Sequence, residues 1–202
     1  MKVIIISDNP NHPGQLTLTD SLRRHGWDYV EIKEAFRGLG YKITELYKYL
    51  KNSNIDDFIM LDAFDVYCIS GPNQFKLNTD KVIISAEKQC YPDPSKAIHF
   101  ISLSRWRYPN SGQIYGKSKY FIELVERYPF PDAENDQSWY TDQCVIGNIE
   151  LDTKCVAFQS IAFEEDDDFT FHNNRLINNI TGTAPIFLHG NGKTDMTKFY
   201  QL

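Results

Sequence analysis

Phe58-Ile59-Met60-Leu61 is a short apolar run that stops on Asp62, and after Ala63-Phe64-Asp65 a second apolar run, Val66 to Ile69, begins at once. Four apolar residues bounded by polar ones suit a buried strand, because a helix needs about ten or more. A strand sends alternate side chains to opposite faces, so Asp62 and Asp65 diverge unless the backbone turns after Asp62. The stretch therefore predicts a buried strand with a turn at its carboxyl end, the edge at which open α/β sheets bind ligands. Two carboxylates converging there could hold a hard divalent cation and, through it, a diphosphate. An aspartate pair in such a place also serves as a helix cap or simply faces water.

The neighbouring segments fit an α/β frame. Val3 to Ile6 reads as a fully buried first strand, followed by the polar loop Ser7-Asp8-Asn9-Pro10-Asn11 at its carboxyl end. Thr19 or Asp20 caps a short helix through His25, and Asp28 to Ile32 is a second strand. The loop Arg37-Gly38-Leu39-Gly40 opens an amphipathic helix in which Ile43, Leu46, Tyr47 and Leu50 share one face. Beyond the aspartate-tipped strand come a turn at Gly71-Pro72, a strand at Lys81 to Ile84 running into Ser85-Ala86-Glu87, and a proline-bearing loop from Gln89 to Lys96. Tyr108 to Gly112 reads as a polar turn before Gln113 to Gly116. Phe121, Leu124, Val125 and Tyr128 mark a second helix that Pro129 and Pro131 end, and Asn135-Asp136-Gln137 starts a third through Cys144. Cys155 to Phe158 and Pro185 to Leu188 are later strands. The acidic run Glu164 to Asp168 reads as a solvated loop rather than a metal cluster.

Composition narrows the function classes. The 202 residues suit one domain, and the net charge of −6 offers no electrostatic case for nucleic acid or an anionic membrane, though a cationic polypeptide is compatible with it. No stretch approaches the ~20 apolar residues of a membrane span, and Met1 to Ile6 is too short for a secretory signal. The chain as given would then be cytoplasmic, or lumenal in the endoplasmic reticulum if cut from a longer protein. Cys68, Cys90, Cys144 and Cys155 lack C-x-x-C spacing, which argues against zinc and for buried thiols at Cys68 and Cys155.

His189-Gly190-Asn191-Gly192-Lys193 is the second informative stretch. A histidine at the end of a buried strand can ligate a metal, glycines let backbone approach a phosphate, and a lysine neutralises its oxygens. Asp62, Asp65 and His189 form a hard, mostly oxygen-donor set suited to Mn²⁺ or Mg²⁺. A nucleotidyl- or phosphoryl-processing enzyme could use such a site too, but no G-x-x-x-x-G-K-S/T loop is present.

In order along the chain stand Leu61-Asp62-Ala63-Phe64-Asp65-Val66-Tyr67, Ser70-Gly71-Pro72, Ser85-Ala86-Glu87, Tyr91-Pro92, Asn110-Ser111-Gly112, Asn135-Asp136-Gln137 with Tyr140-Thr141, Leu151-Asp152-Thr153-Lys154, Phe158-Gln159 and His189 to Thr194. The series resembles the glycosyltransferase domain of the multifunctional procollagen lysyl hydroxylases and its stand-alone relatives, over most of the chain. The resemblance implies a GT-A-type α/β fold with a Rossmann-like, mostly parallel sheet flanked by helices. It implies a single domain over 1–202, with residues 1–90 mainly binding UDP-sugar and metal, and residues 91–202 mainly on the acceptor side and carrying the histidine loop. The implied cofactors are Mn²⁺, with Mg²⁺ as the other choice, and UDP-galactose or UDP-glucose. The implied acceptor is hydroxylysine or galactosyl-hydroxylysine in a collagen-like polypeptide, and a donor-binding module without transfer is the alternative.

The resemblance also distributes roles. Asp62, Asp65 and His189 match the metal ligands, and Gly190, Gly192, Lys193 and Lys42 the diphosphate contacts. Ser7 and Asp8 match the uridine loop, and Phe64, where the family carries tyrosine, the residue beside the uracil. Glu87, Asn110 and Asp136 map to the acceptor-side cavity, with Asp136 and Glu87 as equal choices for a base. The chain departs from the family in its shorter acidic stretch, Glu134 to Gln137, and in a shorter segment before Gly38 that bears on any contact from Phe36. The 202 residues are taken up by the transferase resemblance without a hydroxylase portion, as expected of a compact free-standing member or of a domain cut from a longer chain. Neither the oligomeric state nor the stereochemical outcome of transfer follows from these motifs.

Overall fold

The computed structural model of the chain describes residues 1–165, 167–172 and 175–200. A six-stranded sheet is assembled from β1 (Lys2–Ser7), β2 (Tyr29–Lys33), β3 (Asp57–Leu61), β5 (Val82–Glu87), β6 (Tyr108–Lys117) and β7 (Ile149–Asp152), in the order β2-β1-β3-β6-β5-β7. Only β6 is reversed, running antiparallel to both β3 and β5, while the other neighbours are parallel. A second, three-stranded sheet contains β4 (Val66–Cys68), β8 (Phe158–Ser160) and β11 (Phe187–His189), and β9 (Phe169–His172) pairs with β10 (Arg175–Asn178).

Strand alternation divides the core in two. Ile4, Ile6, Phe58 and Met60 point to one face, where α2 (Tyr41–Lys51), α3 (Ser118–Arg127) and α4 (Asp136–Val145) cover them. Val3, Ile5, Ile59 and Leu61 point to the other, against Leu18 and Leu22 of α1 (Pro13–Arg24) and against Val66, Phe158 and Phe187 of the small sheet. Both faces being covered explains why β1 and β3 read as unbroken apolar runs. Cys68 and Cys155 are buried thiols. No helix of the described residues is long and apolar enough to cross a membrane.

Several elements differ from the sequence expectations. α1 begins at Pro13, well before Thr19. Proline is well suited to a first helical position, where its missing N–H costs nothing. His12 Nδ1 caps the turn by accepting the Gly14 N–H at 3.1 Å, and Thr19 lies inside the helix, its hydroxyl donating to the Leu16 carbonyl. Tyr108 to Gly112 is no turn but the first half of β6. The β5–β6 register jumps from Ile84↔Ile114 to Ser85↔Asn110, so β6 carries a bulge of residues 111–113 opposite β5. The polar residues there are buried because they serve one another, with Ser85 Oγ donating to Asn110 Oδ1 at 3.1 Å. β8 starts at Phe158, where the Cys155 to Phe158 strand was expected to end. Of the acidic run, Glu165 and Asp167 are exposed and Asp166 lies outside the described residues, but Asp168 is buried and ion-paired to Lys88 and Arg105. β7 and the β9–β10 hairpin have no counterpart in the sequence reading.

Candidate functional site

The Asp62–Asp65 turn is where the chain leaves the large sheet and enters the small one. Asp62 follows β3, and its N–H is fixed by the Gly112 carbonyl at 2.7 Å; Asp65 precedes β4, and its carbonyl accepts the Gly190 N–H at 2.7 Å. Because β11 pairs with β4 in the register His189↔Val66, the histidine arrives beside Asp65. His189 Nε2 lies 3.3 Å from Asp65 Oδ1 and 3.9 Å from Asp62 Oδ2. One donor atom from each of the three residues falls within 4.8 Å of the others, and among the described residues this is the cluster able to hold a metal ion.

A ring of buried amides sets the histidine. Its Nδ1 faces Asn110 Oδ1 at 2.9 Å. That oxygen already accepts the Gly112 N–H and the Ser85 hydroxyl, while Asn110 Nδ2 donates to Glu87 Oε1 at 3.3 Å. Asn110 Oδ1 is therefore an acceptor, His189 Nδ1 carries the proton, and the Nε2 lone pair is left for a cation, the arrangement in which a partner orients a metal-binding imidazole. Glu87 also takes Gln137 Nε2 on Oε1 and Asn191 Nδ2 on Oε2, both at 2.7 Å. Gly112 forms the floor. A Cβ built there would lie 2.1 Å from His189 Cε1.

Charge is crowded. Lys42 Nζ bridges Asp62 Oδ1 at 2.6 Å and Asp136 Oδ2 at 2.9 Å. Burial, the strongest influence on Asp62, pushes its carboxyl above the usual range against the opposing pull of Lys42. Asp65 is only half-buried; burial raises its carboxyl, but the adjacent His189, with help from Lys42, outweighs it and holds the carboxyl below that range. Burial opposes charge on His189 and on Lys42. The carboxylates around each prevail, and both pKa values are raised. Glu87 is raised by burial, offset in part by Gln137 and Asn110. Four carboxylates thus face one ammonium and one imidazole, an excess of negative charge with hard oxygen donors that fits a divalent cation such as Mn²⁺ or Mg²⁺.

Two cavities meet at this cluster. One, of about 200 Å³, is lined by Asp8, Phe36, Tyr41 and Phe64 among others, and the second, of about 560 Å³, by Glu87, Asn110, Asp136, Gln137, Gly192 and Lys193 among others. Leu39, Lys42, Asp62 and Asp65 line both. Phe64 is partly exposed and stacks at 4.2 Å on His12, and Gly14 must lack a side chain because a Cβ there would meet the Phe64 carbonyl at 1.9 Å. Two of the residues singled out in the sequence line neither cavity. Ser7 is buried and donates its hydroxyl to Gln15 Oε1 at 2.5 Å, and Gly190 is buried against Met196. Gln137, Asn191, Ser111 and Phe163 also line the larger cavity without having been assigned roles from the sequence; the first three lie inside the motifs Asn135-Asp136-Gln137, His189 to Thr194 and Asn110-Ser111-Gly112, whereas Phe163 carried no signal.

A family model described as the PLOD GT domain matches residues 23–200. Protein R699 of Acanthamoeba polyphaga mimivirus is 30% identical over 168 residues, which cover 79% of this chain and 36% of that protein. Procollagen-lysine,2-oxoglutarate 5-dioxygenase 1 of Homo sapiens is 30% identical over 192 residues, covering 87% of this chain and 26% of the dioxygenase. The chain thus spans between 26% and 36% of the length of these two relatives. Among solved structures, the galactosyltransferase LgtC in complex with donor and acceptor sugar analogues matches with a TM-score of 0.52 at 13% identity, covering 95% of this chain and 87% of LgtC. The bifunctional glycosyltransferase WbbM matches at 0.50 and 15%, covering 99% of this chain and 48% of WbbM. At these identities the likeness is one of fold, and the fold is of the GT-A type.

Proposed function

This chain belongs to the PLOD GT-domain family, and from that premise we propose that it transfers galactose or glucose from a UDP-sugar to hydroxylysine or galactosyl-hydroxylysine in a collagen-like polypeptide. The observation that carries this reading is the Asp62–Asp65–His189 cluster, whose two aspartates line both cavities and whose histidine lines the larger one. A nucleotide diphosphate sugar has the same layout, with a base at one end, a sugar at the other and the diphosphate between them.

In this reading the smaller cavity takes the uracil and ribose, with Phe64 and Tyr41 as apolar walls and Asp8 at a polar edge. Asp62, Asp65 and His189 hold Mn²⁺ or Mg²⁺, which when bound supplies Lewis-acid stabilisation to the departing diphosphate. Gly192 and Lys193 both have positive φ, 68° and 64°, which bends the turn and sets Lys193 at the larger cavity, where its ammonium meets phosphate oxygens. Lys42 neutralises Asp62 and Asp136 and so keeps the carboxylates together. Both oxygens of Glu87 are held by amides, which makes it the organiser of the acceptor wall. Asp136 has its Oδ2 on Lys42 and is the carboxylate we assign to meet the acceptor hydroxyl.

The test is UDP release with Mn²⁺ across a panel of UDP-sugars, with hydroxylysine peptide, galactosyl-hydroxylysine peptide or no acceptor. Acceptor-dependent release from UDP-galactose or UDP-glucose that Asp62→Ala and Asp65→Ala each abolish is expected. Full activity in either variant sinks the metal assignment, and donor binding without release on any acceptor sinks the transferase reading in favour of a binding module.

A further inference from the structure

Phe163 sits in the larger cavity with 64% of its surface exposed and φ at 58°. The left-handed region is unfavourable for a residue with a bulky side chain and persists only where its surroundings impose it. Here they do so from both sides. Upstream, the Ile161 N–H donates to the carbonyl of His189 at 3.0 Å and the Ala162 N–H to Asn191 Oδ1 at 3.1 Å. At the residue itself, Lys88 Nζ donates to the Phe163 carbonyl at 2.7 Å. Lys88 is in turn locked by its ion pair with the buried Asp168, which also takes Arg105 Nη1 at 3.0 Å and the Glu165 N–H at 2.9 Å, and by the face of Trp106 at 5.0 Å. Buried charge and strained backbone are thus spent on holding a large apolar ring in water, at a fixed place relative to His189.

We propose that Phe163 is a stacking platform of the acceptor cavity, held by Lys88 as a positioning residue, and that it selects acceptors already bearing a pyranose ring. A pyranose offers an apolar C–H face and a rim of hydroxyls. The cavity offers an aromatic face and, on its polar lining, Ser111, Gln137, Asn135 and Gln89. A bare hydroxylysyl side chain has no such face to lay on the ring. The inference rests on the transferase reading above and narrows its acceptor to a glycoside.

Phe163→Gly removes the ring and tolerates the positive φ, so it tests the platform without adding strain. With galactosyl-hydroxylysine and hydroxylysine peptides as the two acceptors, the ratio of kcat/KM values favours the glycoside in the wild type. It falls about tenfold in Phe163→Gly through the glycoside's KM, with a smaller change in KM for the UDP-sugar. Phe163→Trp keeps the ratio, and Lys88→Met lowers it part of the way without touching the cavity wall. A wild-type preference for the bare hydroxylysine, or an unchanged ratio in a Phe163→Gly protein that turns over, overturns the inference and leaves the transferase reading standing. Absence of UDP release from the wild type with both acceptors overturns the transferase reading and the inference with it.

Discussion

Replacing Gly112 by alanine probes the metal site through a residue that is not itself one of the three candidate ligands but packs against His189. The added Cβ lies 2.1 Å from His189 Cε1, 2.6 Å from Nδ1 and 2.8 Å from Nε2, about 1.3 Å short of the 3.4 Å at which ordinary contact begins. The imidazole cannot retreat while keeping Asn110, and β6 cannot retreat without releasing Asp62, whose N–H is held by the Gly112 carbonyl. Metal–ligand distances tolerate about 0.2 Å, and a misplacement of about 1 Å in a catalytic constellation costs about 100-fold. Gly112→Ala should therefore weaken Mn²⁺ binding by about 100-fold and lower Mn²⁺-dependent UDP release by a similar factor. Overpacking costs about 1–3 kcal/mol, which leaves the protein folded. Titration of free Mn²⁺ by electron paramagnetic resonance, with a thermal melt run without metal, separates the two effects. A folded variant whose Mn²⁺ affinity stays within about threefold of the wild type would mean that His189 does not hold the cation at this place.

Other perturbations follow from the supporting shell. Asn110→Leu removes the acceptor for His189 Nδ1–H and should cost about 10–100-fold in Mn²⁺ affinity by the same titration. Asp152→Ala orphans the part-buried N–H of Val156 and the buried N–H groups of Ala157 and Phe158, which the carboxylate now accepts at 2.8, 2.9 and 3.0 Å. A loss of about 3 kcal/mol in urea unfolding is expected, with a smaller loss in Asp152→Asn, which keeps one oxygen.

The elements legible in the sequence were those whose pattern has a purely local cause. β1 and β3 announced themselves because both faces are covered, and α2 because Ile43, Leu46 and Leu50 repeat on one stripe. Asp62, Asp65 and His189 were visible as residue types at strand ends, but their approach depends on the β4–β11 register, which no local pattern encodes. The first half of β6 reads as a turn because it is polar for a non-local reason, the amide network around Glu87 and His189, which no local pattern distinguishes from a solvated loop. The start of α1 was hidden because the cap is a histidine and the first turn holds Pro13 and Gly14, residues that elsewhere mark loops. Asp168 looked solvated because its partners Lys88 and Arg105 are distant in sequence.

In the proposed function, the turn after β3 and the histidine ending β11 together hold the cation that serves a UDP-sugar. Diffraction at the manganese absorption edge, from crystals soaked in Mn²⁺ and UDP, tests it most directly. One anomalous peak bonded to Asp62, Asp65 and His189 is expected, with UDP running from Phe64 to Lys193. A peak elsewhere, or UDP bound with no metal at these three residues, would contradict it.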